Sequence, residues 1–233
     1  ENITLFKQRA VFLDDNHIKV GEDTLTATFV FIAAGGRPNI PDIPGLKQTP
    51  YWTSTEALTC KTPPKSLVII GGGYIAVELG YYYQAIGTQV TFLVRHHMIK
   101  SEDAEIRSTF ESVFKQGHDV RIGVTPLEIS YVNEQFVITC SDNAVLTVDQ
   151  CLVATGITPN TDRLNLQDTS IACNENGFIT VDDALETTVP NIFAFGDIIG
   201  RYQFRHSANF EGQHLFEHVV KNGKKTALHY PPM

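Results

Sequence analysis

The feature that most narrows what this chain can fold into is Val68-Ile69-Ile70-Gly71-Gly72-Gly73-Tyr74-Ile75-Ala76-Val77-Glu78-Leu79-Gly80. An apolar, β-branched run ends in three glycines, and helix formers follow at once. This is G-x-G-x-x-A between a strand and a helix, the setting in which the pattern carries meaning. Gly71 permits a tight turn, Gly73 lets the backbone approach a pyrophosphate, and Ala76 is small enough for the helix to pack on the strand. The helix N-terminus offers spare N–H groups and the positive end of its dipole to phosphates. The pattern predicts a dinucleotide site; the competing reading is a glycine turn of purely structural use.

The flanking sequence supplies the rest of a parallel sheet. A strand is predicted over 66–70, a helix over 74–86 with its stop at Gly87, and a second strand over 89–94. Residues 103–116 form an amphipathic helix with Ile106, Phe110, Val113 and Phe114 on one stripe and Gly117 as its cap. A third strand follows at 120–122, then hairpin-like runs at 136–139 and 145–148 and a buried run at 151–154. Alternating strand and helix followed by a meander is the signature of an α/β fold. On either side the pattern differs. Residues 3–33 read as antiparallel strands, and Gly35, Gly36, Pro38, Pro41, Pro44 and Gly45 mark a connection between domains. A short strand at 191–195 ends in Gly196-Asp197, and a helix is predicted from about Ser207 to Lys221.

The end of the second strand reports on the adenine ribose. An acidic residue there suits the hydroxyls of NAD, whereas an arginine suits a 2′-phosphate. The sequence offers Val94, Arg95, His96 and His97 with Lys100 close behind, and no carboxylate until Glu102. Arg95 can pair with a phosphate in bidentate fashion, and His97 or Lys100 can add positive charge. NADPH is favoured and NADH is possible; alternatively, Arg95 and Lys100 form a solvated loop edge.

Composition sets outer bounds. The 233 residues are 42% hydrophobic and 19% charged, which is ordinary for a globular protein. A net charge of −8 with no basic run argues against nucleic acid or an anionic membrane as partner. No apolar stretch reaches the roughly twenty residues that span a bilayer, and the expected location is cytoplasmic. The four cysteines, Cys60, Cys140, Cys151 and Cys173, have neither redox-motif nor zinc-site spacing. They read as small, partly buried hydrophobes. The start at Glu1-Asn2-Ile3 and the stop at Tyr230-Pro231-Pro232-Met233 read as cuts in a longer protein.

Three further segments carry a family resemblance. Phe31-Ile32-Ala33-Ala34-Gly35-Gly36-Arg37-Pro38 and Leu152-Val153-Ala154-Thr155-Gly156-Ile157-Thr158-Pro159-Asn160 look like ATG-type strand-turns. Pro190-Asn191-Ile192-Phe193-Ala194-Phe195-Gly196-Asp197 looks like a second flavin-binding motif. With the glycine loop between the two turns, the order resembles the class I pyridine nucleotide–disulfide oxidoreductases, flavoproteins that include dihydrolipoamide dehydrogenase, glutathione reductase, mercuric reductase and mycothione reductase. Tyr51-Trp52-Thr53-Ser54-Thr55-Glu56-Ala57-Leu58 is similar to the mercuric branch and Arg205-His206-Ser207-Ala208-Asn209 to the mycothione branch.

The resemblance implies a Rossmann-like NAD(P)-binding domain with a β-meander at 48–156. This would be inserted in a partial three-layer ββα FAD-binding domain formed by 1–47 and 157–233. Gly156 would belong to a cofactor-binding turn, and Asp197 would hydrogen-bond the flavin ribityl chain. The helix near His206 and Ser207 would point its N-terminus at the flavin pyrimidine. Tyr74 would be the aromatic gate over the flavin and Glu78 a carboxylate near the nicotinamide; the plainer readings are a packed helix-start tyrosine and a surface glutamate. Ala34 stands where the family carries threonine. Missing from the pattern are the first FAD glycine loop, the paired redox cysteines and a C-terminal dimerisation domain. The parent protein would be a homodimer with FAD, acting on a small-molecule or disulfide substrate, and this segment alone would be inactive. Alternatives are a two-dinucleotide flavoprotein without a redox disulfide, of NADH oxidase or ferredoxin reductase type, and a stand-alone nucleotide-binding module.

Overall fold

Five short strands come first, β1 (Ala10–Phe12), β2 (Ile18–Val20), β3 (Asp23–Leu25), β4 (Val30–Ile32) and β5 (Gly36–Pro38). The middle of the chain holds α1 (Ser54–Thr59), β6 (Ser66–Ile70), α2 (Tyr74–Ala85), β7 (Gln89–Val94), α3 (Ala104–Gly117) and β8 (Asp119–Ile122). It continues with β9 (Pro126–Val132), β10 (Gln135–Cys140), β11 (Val145–Val148) and β12 (Gln150–Val153). The last part contains β13 (Ile157–Pro159), β14 (Ile192–Ala194) and α4 (Arg205–Leu215). The structure is a computed structural model that describes residues 3–230, so the expectation of cuts at Glu1-Asn2 and Pro231-Pro232-Met233 lies outside the described residues. Contacts divide the chain into two units, Glu1–Arg37 with Thr158–Met233, and Pro38–Ile157.

The Pro38–Ile157 unit is built on a parallel sheet in the order β12-β6-β7-β8. Strand β6 is central, with Val68 opposite Cys151 on one side and Thr91 on the other. Both of its faces are covered, so Leu67, Val68 and Ile69 are all buried and the sequence is continuously apolar rather than alternating. One face packs Leu67, Ile69 and Phe92 against Ala76 and Tyr83 of α2. The other packs Val68, Ile70 and Leu93 against Ile129, Phe136 and Ile138 of an antiparallel sheet ordered β11-β10-β9. In β10 every second side chain (Phe136, Ile138, Cys140) points inward, as a half-buried strand requires. Strand β9 carries no such alternation and is not legible in the sequence.

Three local expectations change in this unit. The stripe on α3 is narrower than predicted: Phe110 and Phe114 stack and Phe114 meets Phe92 edge-on, but Ile106 and Val113 are exposed. Val113 precedes Phe114 by one residue, a rotation of about 100°, which carries it off the packed side. Gly117 is the last helical residue and His118 is the C-cap. The segment 38–47 belongs to this unit, so the sequence boundary at 47/48 shifts to 37/38. The reason is packing: Leu46 is fully buried among Val68 and Ile129, and the Ile129 amide donates to Pro44 O at 2.9 Å.

In the other unit β1, β2 and β3 form an antiparallel sheet, while β4 pairs in parallel with β14. The prediction of antiparallel strands throughout 3–33 is therefore corrected at both ends. Residues 3–9 carry no strand, and the buried run around Val30–Ile32 finds its partner far away in sequence, with Phe31 stacked on Phe193 at 5.4 Å. The core gathers Phe12, Ile32, Ile179, Leu185, Phe193 and Leu215. Helix α4 starts at Arg205 rather than Ser207 and continues past Leu215 as a π-helical stretch, Phe216–Val220.

Candidate functional site

The glycine loop leaves the carboxyl end of β6, where the chain moves on to β7 on one side while β12 lies on the other. This is a topological switch point, where an open parallel sheet leaves a crevice for a ligand. A cleft of about 550 Å³ lies there, with lining residues that include Gly71, Gly73, Val94, Arg95, Lys100 and Gly156. His97 lines it too, so seven of the residues singled out in the sequence are brought together.

Each glycine has its own reason. Gly71 has φ +131°, and a Cβ there would stand 2.1 Å from the carbonyl oxygen of Ala154. Gly73 is the N-cap of α2 with φ −80°, and a Cβ there would meet nothing within 4 Å. Gly73 thus faces open space at the start of a helix with no side-chain cap, which fits a phosphate approaching the backbone. Ala76 is buried against β6 and β7. Gly80 shares that duty: a Cβ there would lie 2.2 Å from Cζ of Phe92. Its place one helical turn beyond Ala76 is the signal that could have found it. Also in the lining, and not anticipated, are Asn39, Thr125 and Thr155.

The loop after β7 carries the charge. Arg95 and Lys100 are exposed and, among the described residues, neither has an ion pair. His97 differs. Its Nδ1 lies 3.3 Å from Oε1 of Glu111, and the same oxygen accepts the Met98 amide at 2.8 Å. His97 thus lines the cleft with a carboxylate at its side, and a charged His97–Glu111 pair would add no net positive charge to the loop. Val94 is buried and contributes backbone to the lining.

Tyr74 and Glu78 sit one turn apart on α2 and share a face, but neither lines the cleft. The Tyr74 hydroxyl hydrogen-bonds to Glu102, and that carboxylate together with burial holds its pKa above the usual tyrosine value. Glu78 is exposed, and no ion pair among the described residues involves it.

Asp197, His206 and Ser207 belong to the other unit. Asp197 follows β14 and Gly196, which has φ +75°. Its carboxylate is half-buried with no hydrogen-bond partner among the described residues, and burial raises its pKa. A half-buried acceptor without a donor suits a hydroxyl-bearing ligand, so the residues present fit a flavin's polyol chain. Helix α4 has no side-chain cap at Phe204; His206 is exposed and stacks on Phe204, while Ser207 is buried. Arg37, from the first ATG-type turn, makes a two-pronged pair with Asp162 at 2.9 and 2.7 Å and is committed to structure.

All four cysteines are free. Burial pushes the Cys151 thiol up to about 12, which makes it inert as a nucleophile. Cys173 is exposed rather than partly buried. Among the described residues no group of histidine, cysteine and carboxylate side chains is placed to hold a metal, and no helix is long and apolar enough to cross a membrane.

A cleft at the switch point of a parallel sheet, together with a second unit that ends a strand in an unpaired aspartate, points to an α/β nucleotide-binding protein. Residues 1–212 match the family described as pyridine nucleotide-disulphide oxidoreductase, and the chain belongs to that family, in its class I. It is 37% identical over 213 residues to a mercuric reductase of Staphylococcus aureus, covering 89% of this chain and 39% of that protein. It is 31% identical to a glutathione reductase of a Nostoc species, covering 97% and 52%. Among solved structures, the HOCl-induced flavoprotein disulfide reductase RclA from Escherichia coli superimposes with a TM-score of 0.85 at 31% identity, over 97% of this chain and 53% of that one. The chain thus spans from about two-fifths to half of these relatives' length.

Proposed function

We propose that this chain is the NAD(P)H-binding part, with a portion of the FAD-binding part, of a homodimeric flavoprotein reductase. The enzyme would pass a hydride from NADPH through FAD to a disulfide or a metal ion. The acceptor class is that of the dihydrolipoamide dehydrogenase, glutathione reductase and mercuric reductase branches. The observation that carries the reading is the cleft after β6 and β7, where Gly71 makes the turn, Gly73 leaves open space at the start of α2, and Arg95 and Lys100 supply unpaired positive charge.

The residues divide the work by chemistry. Gly73 and the first N–H groups of α2 hold the pyrophosphate against the dipole. Arg95 takes a 2′-phosphate with its planar fork and Lys100 adds a point charge. Asp197 accepts hydrogen bonds from the flavin polyol, and the uncapped start of α4 at His206 and Ser207 favours negative charge on the pyrimidine. Bound FAD supplies the two-electron relay between nicotinamide and acceptor. Tyr74 and Glu78 flank the path of the nicotinamide, Tyr74 as the gate. Four free cysteines suit a reducing compartment, which supports a cytoplasmic setting.

The deciding experiment is calorimetric titration of the chain with NADP⁺ and with NAD⁺. Saturable binding with NADP⁺ the tighter ligand is the expected result. Absence of binding by both overturns the reading, and tighter NAD⁺ binding overturns its cofactor choice.

A further inference from the structure

Outside the cleft, the one charged side chain among the described residues that is fully buried is Glu211 of α4. No cation pairs with it in the described ion pairs. Its Oε2 accepts the backbone N–H of Gly196 at 2.6 Å, and its Oε1 accepts the Tyr230 hydroxyl at 2.5 Å. A carboxylate buried without a cation is a costly way to fill space, so what it holds matters more than the volume it fills.

What it holds is the turn that presents Asp197. The parallel ladder between β4 and β14 ends with Phe195 N–H donating to Ile32 O at 3.2 Å. The next amide along is that of Gly196, and Glu211 receives it. Gly196 is itself buried, and a Cβ there would stand 3.3 Å from Cβ of Ala208 on the same helix. The turn is thus fixed to α4 twice, by shape at Ala208 and by hydrogen bond at Glu211. The other end of the carboxylate is steadied by Tyr230, whose ring lies 4.8 Å from Tyr202 and 6.1 Å from Phe210.

We infer that Glu211 is a positioning residue for the flavin aspartate: it fixes the backbone at Gly196 so that the Asp197 carboxylate stands where the cofactor's polyol hydroxyls reach it. The inference rests on the reading of Asp197 as a flavin ligand. A glutamine at 211 can keep both contacts, its carbonyl accepting from Gly196 and its amide donating to the Tyr230 oxygen. A leucine can keep neither.

The test compares Glu211→Gln and Glu211→Leu in the full-length enzyme, with the FAD dissociation constant read by flavin fluorescence and NADP⁺ affinity measured alongside. The expected result is a loss of FAD affinity of about tenfold or more for Glu211→Leu, from the broken hydrogen bond to a charged acceptor. Glu211→Gln is expected within about threefold of the native enzyme, and NADP⁺ affinity is expected to be unchanged in both. Native FAD affinity in the leucine variant overturns the inference. So does an equal tenfold loss in the glutamine variant, even if the leucine variant does not fold. An unmutated enzyme that takes no FAD overturns the flavin reading itself, and this inference with it.

Discussion

The amide of Ile99 donates to the carbonyl of Gly72 at 2.6 Å, which ties the loop after β7 to the glycine loop after β6. Ile99 adopts φ +40°, a conformation that β-branched residues rarely take, so the surrounding contacts hold it there. The Glu111 carboxylate grips the neighbouring Met98 amide from α3. The two loops that line the cleft are therefore one connected structure.

Glu111→Ala should loosen that loop and weaken NADP⁺ and NAD⁺ by a similar factor, about tenfold for a lost hydrogen bond to a charged acceptor. Titration of both nucleotides checks this. A loss confined to NADP⁺ would mean that Glu111 acts through charge at the 2′ position instead.

Arg95→Glu places a negative charge where a phosphate is expected, and NADPH affinity should fall about 100-fold while NADH falls less than about threefold. Paired Kd measurements decide it. Equal losses remove Arg95 from the 2′-phosphate role.

Gly71 and Gly73 should fail in different ways. Gly71→Ala drives a Cβ to 2.1 Å from Ala154 O at a positive φ, and should lower stability by at least about 2 kcal/mol. Gly73→Ala has room for its methyl group, so thermal melting should be nearly native while nucleotide binding is lost. Intact binding by a folded Gly73→Ala would show that no phosphate approaches there.

Gly80→Ala tests packing without touching the cleft. Its Cβ would meet Phe92 at 2.2 Å, and the overpacking should cost about 1–3 kcal/mol. Denaturant unfolding should show the loss, with NADP⁺ affinity unchanged below the transition.

Asp197 should make stability pH-dependent in a definite direction. Burial raises its carboxyl pKa above the ordinary 3.8, so the fold favours the protonated form. That contribution is complete below about pH 4 and is lost as pH rises through the raised value. Asp197→Asn, neutral throughout, should melt close to the native chain near pH 4 and above it near pH 7. A constant offset at both pH values would contradict the assignment.

Much of this was legible in the residues themselves. Apolar runs placed β6 and β7, helix formers with a glycine stop placed α2, and a stripe placed α3, because a strand covered on both faces must be apolar throughout and a helix on a sheet must carry an apolar side. The glycine spacing located the cleft, since only glycine tolerates the Gly71 geometry. The Ile106 and Val113 positions misled, because a helical stripe says which residues could face a sheet but not how wide the sheet's contact is. Likewise β4 looked like one more antiparallel neighbour until its partner appeared at β14, some 160 residues away.

What the sequence determined by itself was the set of local structures and the residue types in the loops: a glycine turn opening a helix, a basic loop after the next strand, and an aspartate ending a third. What only the tertiary structure decided was which of those charges are available. His97 reads as added positive charge in the sequence, yet the Glu111 carboxylate lies beside it. Nothing in the sequence singled out Glu211, yet it lies buried on the Gly196 amide. Such pairings join residues distant in the chain, and their energies depend on burial and approach, which local sequence does not encode.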